Sequence, residues 1–395
     1  MDRRSFIRLV GGGAVAATAA TMAGCSSDYP AAAVAAWAGP PAHDDLRRWA
    51  LGHAILAPNS HNRQPWLVDL REPDAIVLRV DRERLLPETD PWFRQIVVSQ
   101  GTFLELLVIA LRERGIDPRV ELFPDGEFAP RQLDDRPVAR VSWTPGAAVP
   151  AKDPLFAQIL RRHTAKVDYD TARAVDPAAL QELAGALPPD LGHGLRFGGT
   201  VEAARLGALR QLCRDAARVE LLTPATVMES VRLTRVGPAE IAANPDGITL
   251  NAPMVRFLDA VGLFDRRNPP AEDGAAFKNV MARFDGHSMS AMGFVWLSTG
   301  TAANAAAGRL RSAEVACGRA YVRQQLKATE LGLQMHPMSQ APQEFAEMKA
   351  HHERLHQLTV GRPAVEETVQ MFSRIGYCTP QPHTPRRGVD AIIRA

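Results

Sequence analysis

Residues 58–66 read Pro-Asn-Ser-His-Asn-Arg-Gln-Pro-Trp and join a predicted helix to a predicted strand. Apolar residues at helical spacing indicate a helix over 44–56, which Pro58 ends, and Trp66 opens a strand that runs to Leu70. Small polar residues fill the loop between them. The Asn62 amide offers two donors and one acceptor, a pattern that suits the edge of a flat heteroaromatic ring. Taken alone, the stretch would be interpreted as an ordinary polar turn.

A second polar stretch lies at the start of the other half of the chain. Residues 161–166 read Arg-Arg-His-Thr-Ala-Lys and follow a predicted helix that Asp153 caps. Three cations, a hydroxyl and an imidazole within six residues suit a phosphate group, because guanidinium and ammonium groups bind phosphate oxygens strongly. The alternative is a solvated basic helix end, which the helix dipole favours. A third basic stretch, Pro385-Arg386-Arg387, lies near the C-terminus.

The order of predicted elements indicates an α+β fold. Predicted strands cover 66–70, 75–80, 120–123, 138–143 and 291–298, and predicted helices cover 92–114, 200–221, 302–331, 343–358 and 364–374. A linker near 145–150 divides the chain into a first half over 42–145 and a second half over 151–395. Six prolines interrupt residues 222–290, so we interpret this segment as an insertion or lid rather than part of a sheet.

The N-terminus is predicted to be an export signal. Asp2-Arg3-Arg4-Ser5-Phe6 is a twin-arginine sequence, and residues 9–24 are uncharged but too short and too weakly apolar to span a bilayer. This pattern predicts export of the folded chain by the Tat route. Met22-Ala23-Gly24-Cys25 is typical of a lipid attachment site, so Cys25 is a candidate lipid anchor and residues 25–41 a tether. The predicted location is periplasmic, or membrane-anchored by that lipid.

Composition restricts the partners. The chain has 395 residues and a formal net charge of +2, and the part after residue 24 is formally neutral. A neutral chain without long basic runs argues against nucleic acid as a partner. Beyond Cys25, three scattered cysteines cannot form a disulfide framework or a cysteine-rich metal site, and buried single thiols are expected.

Together, the three polar stretches resemble the signatures of the FMN-dependent nitroreductase family. Residues 58–66 resemble its P-S-S-x-N-x-Q-P-W loop, and Arg162, His163, Thr164 and Lys166 match its R-H-S-x-K phosphate motif with Thr in place of Ser. Leu331-Gly332-Leu333 followed by Pro337-Met338-Ser339 resembles the segment whose backbone approaches the flavin. The resemblance is closest to the Acg-like branch, in which one chain carries two nitroreductase-like halves. It implies that FMN is the cofactor and that these residues bind it: Pro58, Asn59, Ser60, Asn62, Gln64, Arg162, His163, Thr164, Lys166, Pro337, Met338, Ser339, Arg386 and Arg387.

The same resemblance implies an internal pseudo-dimer, because each motif occurs once and on a different half. One FMN would then lie between the halves, in a monomeric pseudo-dimer or a homodimer, and would reduce a small electron acceptor such as a nitroaromatic or a quinone. No side chain is nominated as a catalytic acid or base. Export from the cytoplasm removes the chain from the nicotinamide pool, so a flavin-binding or flavin-sequestering protein with little turnover is the alternative.

A zinc site is a further alternative. His352-Glu353-Arg354-Leu355-His356 matches the H-E-x-x-H helix of zinc hydrolases. The surrounding residues Lys349, His351 and Gln357 are polar, however, whereas a catalytic zinc helix is normally buried, and no third ligand is evident. The sequence therefore predicts no metal.

Overall fold

The protein combines helices with three β-sheets, and the predicted α+β class is confirmed. The computed structural model describes residues 27–42, 45–188, 194–300 and 310–394. The predicted export signal over 1–24 and the candidate lipid site Cys25 lie outside these residues. The helices described are α1 (Ala31–Val34), α2 (Leu46–Ala54), α3 (Arg94–Glu113), α4 (Ala178–Gly185), α5 (Ala203–Leu222), α6 (Pro224–Arg232), α7 (Gly237–Ala243), α8 (Pro253–Ala260), α9 (Ala275–Met289), α10 (Arg311–Glu330) and α11 (Lys349–Thr359). The strands are β1 (Trp66–Asp69), β2 (Ala75–Val80), β3 (Arg119–Leu122), β4 (Ala139–Ser142), β5 (Leu195–Thr200), β6 (Thr234–Val236), β7 (Ile248–Leu250), β8 (Gly293–Gly300), β9 (Gln334–Pro337) and β10 (Glu367–Gly376).

The first sheet is antiparallel with the strand order β1-β2-β4-β3. Its register pairs Trp66 with Val80 and Ile76 with Val141. Helix α3 packs against it and contributes apolar side chains such as Phe103 and Leu107 to the core. By length and composition α3 could cross a membrane, but 94% of its apolar window is buried inside the protein, as expected of a core helix.

The second sheet is antiparallel with the order β5-β8-β10-β9. The helix predicted over 364–374 is wrong, because these residues form strand β10. Val369, Phe372 and Ile375 recur every three positions and imitate a helical stripe. In the structure, a register shift between Val369 and Met371 interrupts the alternation, and β10 is a central strand buried on both faces. Such strands lack the period-2 pattern by which half-exposed strands are recognised.

The two four-stranded sheets repeat one arrangement, since β1, β2, β4 and β3 occupy the same places in their sheet as β5, β8, β10 and β9 in the other. Their central helices α3 and α10 cross where Gly101 faces Gly318. A Cβ atom on Gly101 would collide with the Val315 carbonyl oxygen, and one on Gly318 with the Val98 carbonyl oxygen. Gly101 and Gly318 are 217 residues apart in the chain, and so are Val98 and Val315. Each helix therefore contacts the other through residues at equivalent positions.

Two buried arginines at equivalent positions also make contacts between the two halves. Arg94 and Arg311 are the first residues of α3 and α10. Arg94 donates to carbonyl oxygens of the second half, at Pro342 (2.7 Å) and Gln370. Arg311 donates to the Trp92 carbonyl oxygen (2.9 Å) in the first half. Each central helix is therefore anchored at its first residue to the opposite half.

One connection differs greatly between the sheets. Residues 70–74 join β1 to β2, whereas residues 201–292 join β5 to β8. This excursion, which we call the insertion, contains helices α5 to α9 and the small parallel sheet of β6 and β7. Pro224, Pro238 and Pro253 lie in the first turns of three of its helices, where proline is tolerated. The predicted insertion over 222–290 thus lies inside a longer one that is mainly helical.

Both ends of the described chain pack on the body. The C-terminal arm over 377–394 crosses to the first sheet, where Arg394 N–H donates to the Val68 carbonyl oxygen at 2.8 Å. The first-half and second-half boundaries predicted from sequence therefore do not hold for this arm. Residues 27–41, predicted as part of a tether, include α1 and the buried Trp37, whose Nε1 donates to the Thr384 carbonyl oxygen at 2.9 Å.

Candidate functional site

The loop after α2 has an unusual backbone. His61, Asn62 and Gln64 all adopt left-handed conformations, with φ of 48°, 51° and 51°. Each such residue costs on the order of 1 kcal/mol when it is not glycine. Side chains hold the loop: Asn59 Oδ1 accepts from Gln64 N–H at 2.7 Å, and Ser60 Oγ donates to Gln95 Oε1 of α3 at 2.9 Å. Asn59 and Ser60 are therefore occupied in shaping the loop.

Arg162 lies at the end of a 3₁₀ helix over Pro154–Arg161 and is almost fully buried. Its guanidinium donates to the Leu56 carbonyl oxygen at 2.8 Å and to Gln325 Oε1 at 3.0 Å. Gln325 on α10 also donates to Thr164 Oγ1 at 3.0 Å, which fixes Thr164 beside Arg162. Burial lowers the pKa of Arg162 to about 10, so the side chain remains a cation at neutral pH.

Arg386 from the C-terminal arm meets Arg162. It donates to Asn62 Oδ1 at 2.8 Å and Thr384 Oγ1 at 2.7 Å, and both arginines approach the Leu56 carbonyl oxygen. Burial and the nearby charge of Arg162 lower the pKa of Arg386. The Nε atoms of both arginines are buried without a partner, and neither forms an ion pair within the described residues. Two buried cations without a carboxylate form a site suited to an anion.

Aromatic rings cover this anion pocket. Trp37 stacks on His383 at 4.1 Å between ring centroids, and His383 stacks on His163 at the same separation. The Trp37 ring also lies 5.4 Å from the Arg162 guanidinium carbon and 5.1 Å from that of Arg386. The cavity that these residues line is partly open to solvent and has a volume of about 30 Å³, enough for roughly two waters.

Lys166 lies apart from the anion pocket, in a cleft of its own. Its side chain is reached by solvent, yet desolvation, and secondarily the charge of Arg283, lower its pKa to about 8. A side chain that is both accessible and desolvated lies in a deep cleft rather than on a convex surface. His61 faces the same cleft: desolvation and then Lys166 lower its pKa to about 4, and its Nδ1 is buried without a partner among the residues described.

Two further histidines line the floor of this cleft. The rings of His287 on α9 and His336 on β9 pack edge to face at 5.4 Å. Arg374 donates from Nε to His336 Nδ1 at 3.0 Å and from Nη1 to the His287 carbonyl oxygen at 2.7 Å. Desolvation, followed by the charge of Arg374, lowers the pKa of both rings, that of His287 to about 3. Both rings are therefore neutral at neutral pH.

Glu220 on α5 is an acid whose charge interacts with that of Lys166. It is buried and accepts from Gln343 Nε2 at 2.6 Å. Burial raises its pKa to about 7, while Gln343 and Lys166 oppose the rise. The carboxyl group is therefore partly protonated at neutral pH and offsets the positive charge of the cleft only in part.

The structure thus brings together six of the fourteen predicted residues, in two neighbouring places. Arg162, His163, Thr164 and Arg386 line the anion pocket beside Asn62, and Lys166 faces the cleft. Residues 162 and 166 are four positions apart along a non-helical segment, a reach of about 14 Å at most. One elongated ligand can therefore touch both.

Four predicted residues have other contacts in the structure. Arg387 is paired with Asp81 at 3.3 Å, and its N–H and Nη1 donate to Gln64, so it is not placed to bind phosphate. Met338 N–H donates to the Phe372 carbonyl oxygen in the sheet and cannot serve a ligand. Pro337 of β9 pairs with Ser373 of β10, and Ser339 is left as a donor that this segment can offer. The carbonyl oxygen of Pro58 accepts from Thr102 Oγ1 at 2.7 Å, which is a structural role.

Sequence reasoning missed several residues of the site. Trp37 lies in the segment predicted as a tether, although a lone tryptophan in an alanine-rich segment is a signal of packing. His383 precedes Arg386 by three residues but belongs to no motif. Arg283, His287 and Glu220 belong to the insertion and follow no motif that spacing could reveal. Arg374 lies in the strand that was predicted to be a helix.

The H-E-x-x-H helix has a structural explanation. His356 is fully buried; its Nδ1 lies 2.7 Å from the His352 carbonyl oxygen and its Nε2 accepts from Val369 N–H at 2.9 Å. Both ring nitrogens are thus used by the backbone. No group of three metal-ligating side chains occurs within residues 27–42, 45–188, 194–300 and 310–394.

Comparison with curated proteins finds sequence similarity to proteins named as nitroreductases. "Putative NAD(P)H nitroreductase acg" of Mycobacterium tuberculosis is 27% identical over 193 residues, which are 48% of this chain and 50% of that protein. The chain is similar in sequence to nitroreductases. A second "Putative NAD(P)H nitroreductase" of M. tuberculosis is 32% identical over 122 residues, 31% of this chain and 33% of that protein. The chain thus spans half or less of the length of the curated relatives it matches, and no family model matches it.

Solved structures give a weaker likeness. The FMN and NADPH-dependent nitroreductase NfnB from Sphigopyxis sp. strain HMH is 15% identical, with a TM-score of 0.38, over 62% of this chain and 99% of that one. The FMN-dependent NfnB from Mycobacterium smegmatis in complex with NADPH is 15% identical, with a TM-score of 0.36, over 60% of this chain and 96% of that one.

Proposed function

We propose that the protein is an exported, FMN-binding oxidoreductase of the nitroreductase type. The observation that carries this proposal is the convergence of Arg162 and Arg386, from distant parts of the chain, on one pocket without a carboxylate. The sequence similarity to nitroreductases supports the same chemistry.

The residues of the anion pocket fit the phosphate of FMN. Arg162 and Arg386 would neutralise its charge, and their orphaned Nε atoms and Thr164 Oγ1 would supply hydrogen bonds. Trp37 and His383 line the same cavity. Their rings would exclude water from the charged contacts, which strengthens them.

The cleft would hold the isoalloxazine ring. Lys166 and His61 line it, and Ser339 N–H is a remaining donor of the segment after β9. When bound, FMN would supply the electron-carrying ring, and the residues would orient it and restrict access to it. Asn59 and Gln64 would act indirectly by holding the left-handed loop in shape. The acceptor would be a small nitroaromatic or quinone-like molecule.

We further propose that the chain is an internal pseudo-dimer of two nitroreductase-like halves with one FMN between them. The repeated strand order and the reciprocal contacts of Gly101 with Gly318 support this arrangement. The anion pocket takes Asn62 from the first half and Arg162 from the second, so one site uses both halves. Flavin released by denaturation should amount to about one FMN per chain. Two per chain would contradict the pseudo-dimer, and none would contradict the proposed function.

Flavin storage is the second candidate, and the stacked cover of Trp37 and His383 favours it. Stopped-flow reduction distinguishes the two. An enzyme should be reduced by a physiological donor and reoxidised by a quinone or nitroaromatic within seconds. A store should be reduced by dithionite and reoxidised only slowly. Fast, saturable reduction by NADPH would indicate a conventional nitroreductase.

Export by the Tat route and a lipid on Cys25 belong to the same proposal. Replacing Arg3 and Arg4 with lysine should retain the precursor in the cytoplasm, because the twin arginines are the export signal. Cys25→Ser should release the exported protein from the membrane without preventing export, and fractionation measures both. Membrane association that survives Cys25→Ser would show that no lipid on that residue is responsible.

A further inference from the structure

The insertion brings one helix against the cleft. Helix α9 carries Arg283 and His287 one turn apart, and residues four apart lie on the same face of a helix. His287 fixes this face: its ring lies against the Lys166 backbone and packs on His336, and its carbonyl oxygen accepts from Arg374. The face that bears Arg283 therefore looks into the cleft that Lys166 lines.

Arg283 is a cation of helix α9. On the opposite side of the same helix, Asp285 is paired with Arg214 at 2.9 Å. Four other arginines of the insertion are ion-paired, namely Arg214, Arg218, Arg235 and Arg266.

The charges around Arg283 do not balance. Arg283 is close enough to Lys166 for its charge to help lower the pKa of Lys166, and desolvation lowers the pKa of Arg283 itself. His287 and His336 are neutral, and Glu220 is partly protonated and turned to Gln343. Two cations in a partly desolvated cleft are costly unless an anion joins them.

The phosphate of FMN does not provide that anion in the proposed arrangement, because Arg162 and Arg386 hold it in the separate pocket. A planar guanidinium beside an ammonium group suits a carboxylate, which accepts two parallel hydrogen bonds from arginine. We propose that Arg283, together with Lys166, selects small acceptors that carry a carboxylate on the same ring as the group to be reduced. This inference rests on the proposed function, since it assigns the substrate class of the same site.

Binding of two probes of equal shape tests the proposal. 4-Nitrobenzoate carries the carboxylate and 4-nitrobenzamide is its neutral counterpart. Each is titrated calorimetrically into the flavin-loaded protein, and the flavin content of each sample is read from its visible absorbance. Wild type should bind the benzoate at least tenfold more tightly than the benzamide. Arg283→Ala should weaken benzoate binding by about 10- to 100-fold and leave benzamide binding within threefold, since charged hydrogen bonds of this kind have that effect.

Matched variants exclude simpler explanations. Lys278→Ala removes one positive charge from the same helix at an exposed position and should leave both affinities unchanged. Arg283→Lys keeps the charge but not the two parallel donors, and should recover part of the preference. Equal binding of both probes by flavin-loaded wild type, or equal losses in Arg283→Ala and Lys278→Ala, would overturn the inference. Wild type that contains no flavin would instead overturn the proposed function on which it rests.

Discussion

The two four-stranded sheets share a strand order but differ in one connection. Five residues, 70–74, join the first two strands of one sheet, whereas 201–292 join the equivalent strands of the other. The short turn adds no helix or strand to the first sheet. The long insertion adds helices α5 to α9 and with them Glu220, Arg283 and His287. The repeated part of the molecule therefore supplies the scaffold.

Segments outside the two repeated sheets supply several residues of the site. Arg386 comes from the C-terminal arm, Trp37 from the N-terminal segment and Arg283 from the insertion. None of them has an equivalent in the repeated sheets. A duplicated framework can thus carry a single asymmetric site, because the segments added outside the repeat contact only one side of it.

The largest effect is expected where the repeated helices cross. Gly101→Val places a branched side chain against the Val315 backbone, which cannot retreat without separating α3 from α10. Overpacking of a core costs about 1–3 kcal/mol, and more where the obstacle is backbone. We expect loss of most soluble protein, or a fall in unfolding free energy of at least about 3 kcal/mol in a urea titration.

Gly207→Ala is the matched control. Gly207 lies in α5, and no atom lies close to the position that an added methyl group would take, so alanine should stabilise the helix by up to about 1 kcal/mol. Equal destabilisation by both variants would show that the crossing has no special requirement for glycine.

The second effect concerns the anion pocket, which only the second half completes. Arg162→Ala removes a buried cation from the FMN phosphate, and charged hydrogen bonds are worth roughly 1.5–3 kcal/mol, so FMN affinity should fall about 10- to 150-fold. Fluorescence titration of flavin measures it. Arg387→Ala, whose side chain is paired with Asp81, should change affinity far less. Equal losses of affinity in Arg162→Ala and Arg387→Ala would show that Arg387 also binds the phosphate.

The third effect is a pH dependence located in the second half. Burial and Arg374 hold the pKa of His287 near 3, below the ordinary value of 6.5, so the unfolded chain binds the proton more readily. The contribution of His287 to the unfolding free energy is complete above pH 6.5 and is lost as the pH falls toward 3. This effect of His287 alone should lower the unfolding free energy by on the order of 2 kcal/mol between about pH 7 and pH 4.5.

Urea titrations of wild type and His287→Gln at both pH values check this. The variant should be less stable at neutral pH but lose less stability on acidification. An identical pH dependence in both proteins would show that other groups, such as His336, account for the whole effect.

The smallest effect is expected at the cover of the anion pocket. Trp37→Ala opens the route by which a phosphate enters and leaves, so FMN association and dissociation should both become faster, by about three- to tenfold. The dissociation constant should change by less than about threefold because both rates move together. Stopped-flow mixing with FMN measures the rates, and unchanged rates would place the access route elsewhere.

The sequence predicted the parts of the site that local order determines. Residues 58–66 and 161–166 are short motifs at element boundaries, and both lie where helix and loop patterns placed them. Strand β10 was mistaken for a helix because a strand buried on both faces has no alternating pattern. The Trp37 contact with Thr384 joins residues 347 positions apart, and nothing in a local pattern reports such a contact. Arg283 was missed for the same reason.

The C-terminal arm has a consequence for the order of events during synthesis. Both sheets are complete once the ribosome has released β10, but Arg386 follows that strand by ten residues. The hydrogen bond from Trp37 to the Thr384 carbonyl oxygen likewise forms only after Thr384 has been released. A nascent chain can therefore build its scaffold before it can close the anion pocket. A chain truncated behind β10 should therefore fold into both sheets yet fail to retain the proposed flavin, because it lacks Arg386.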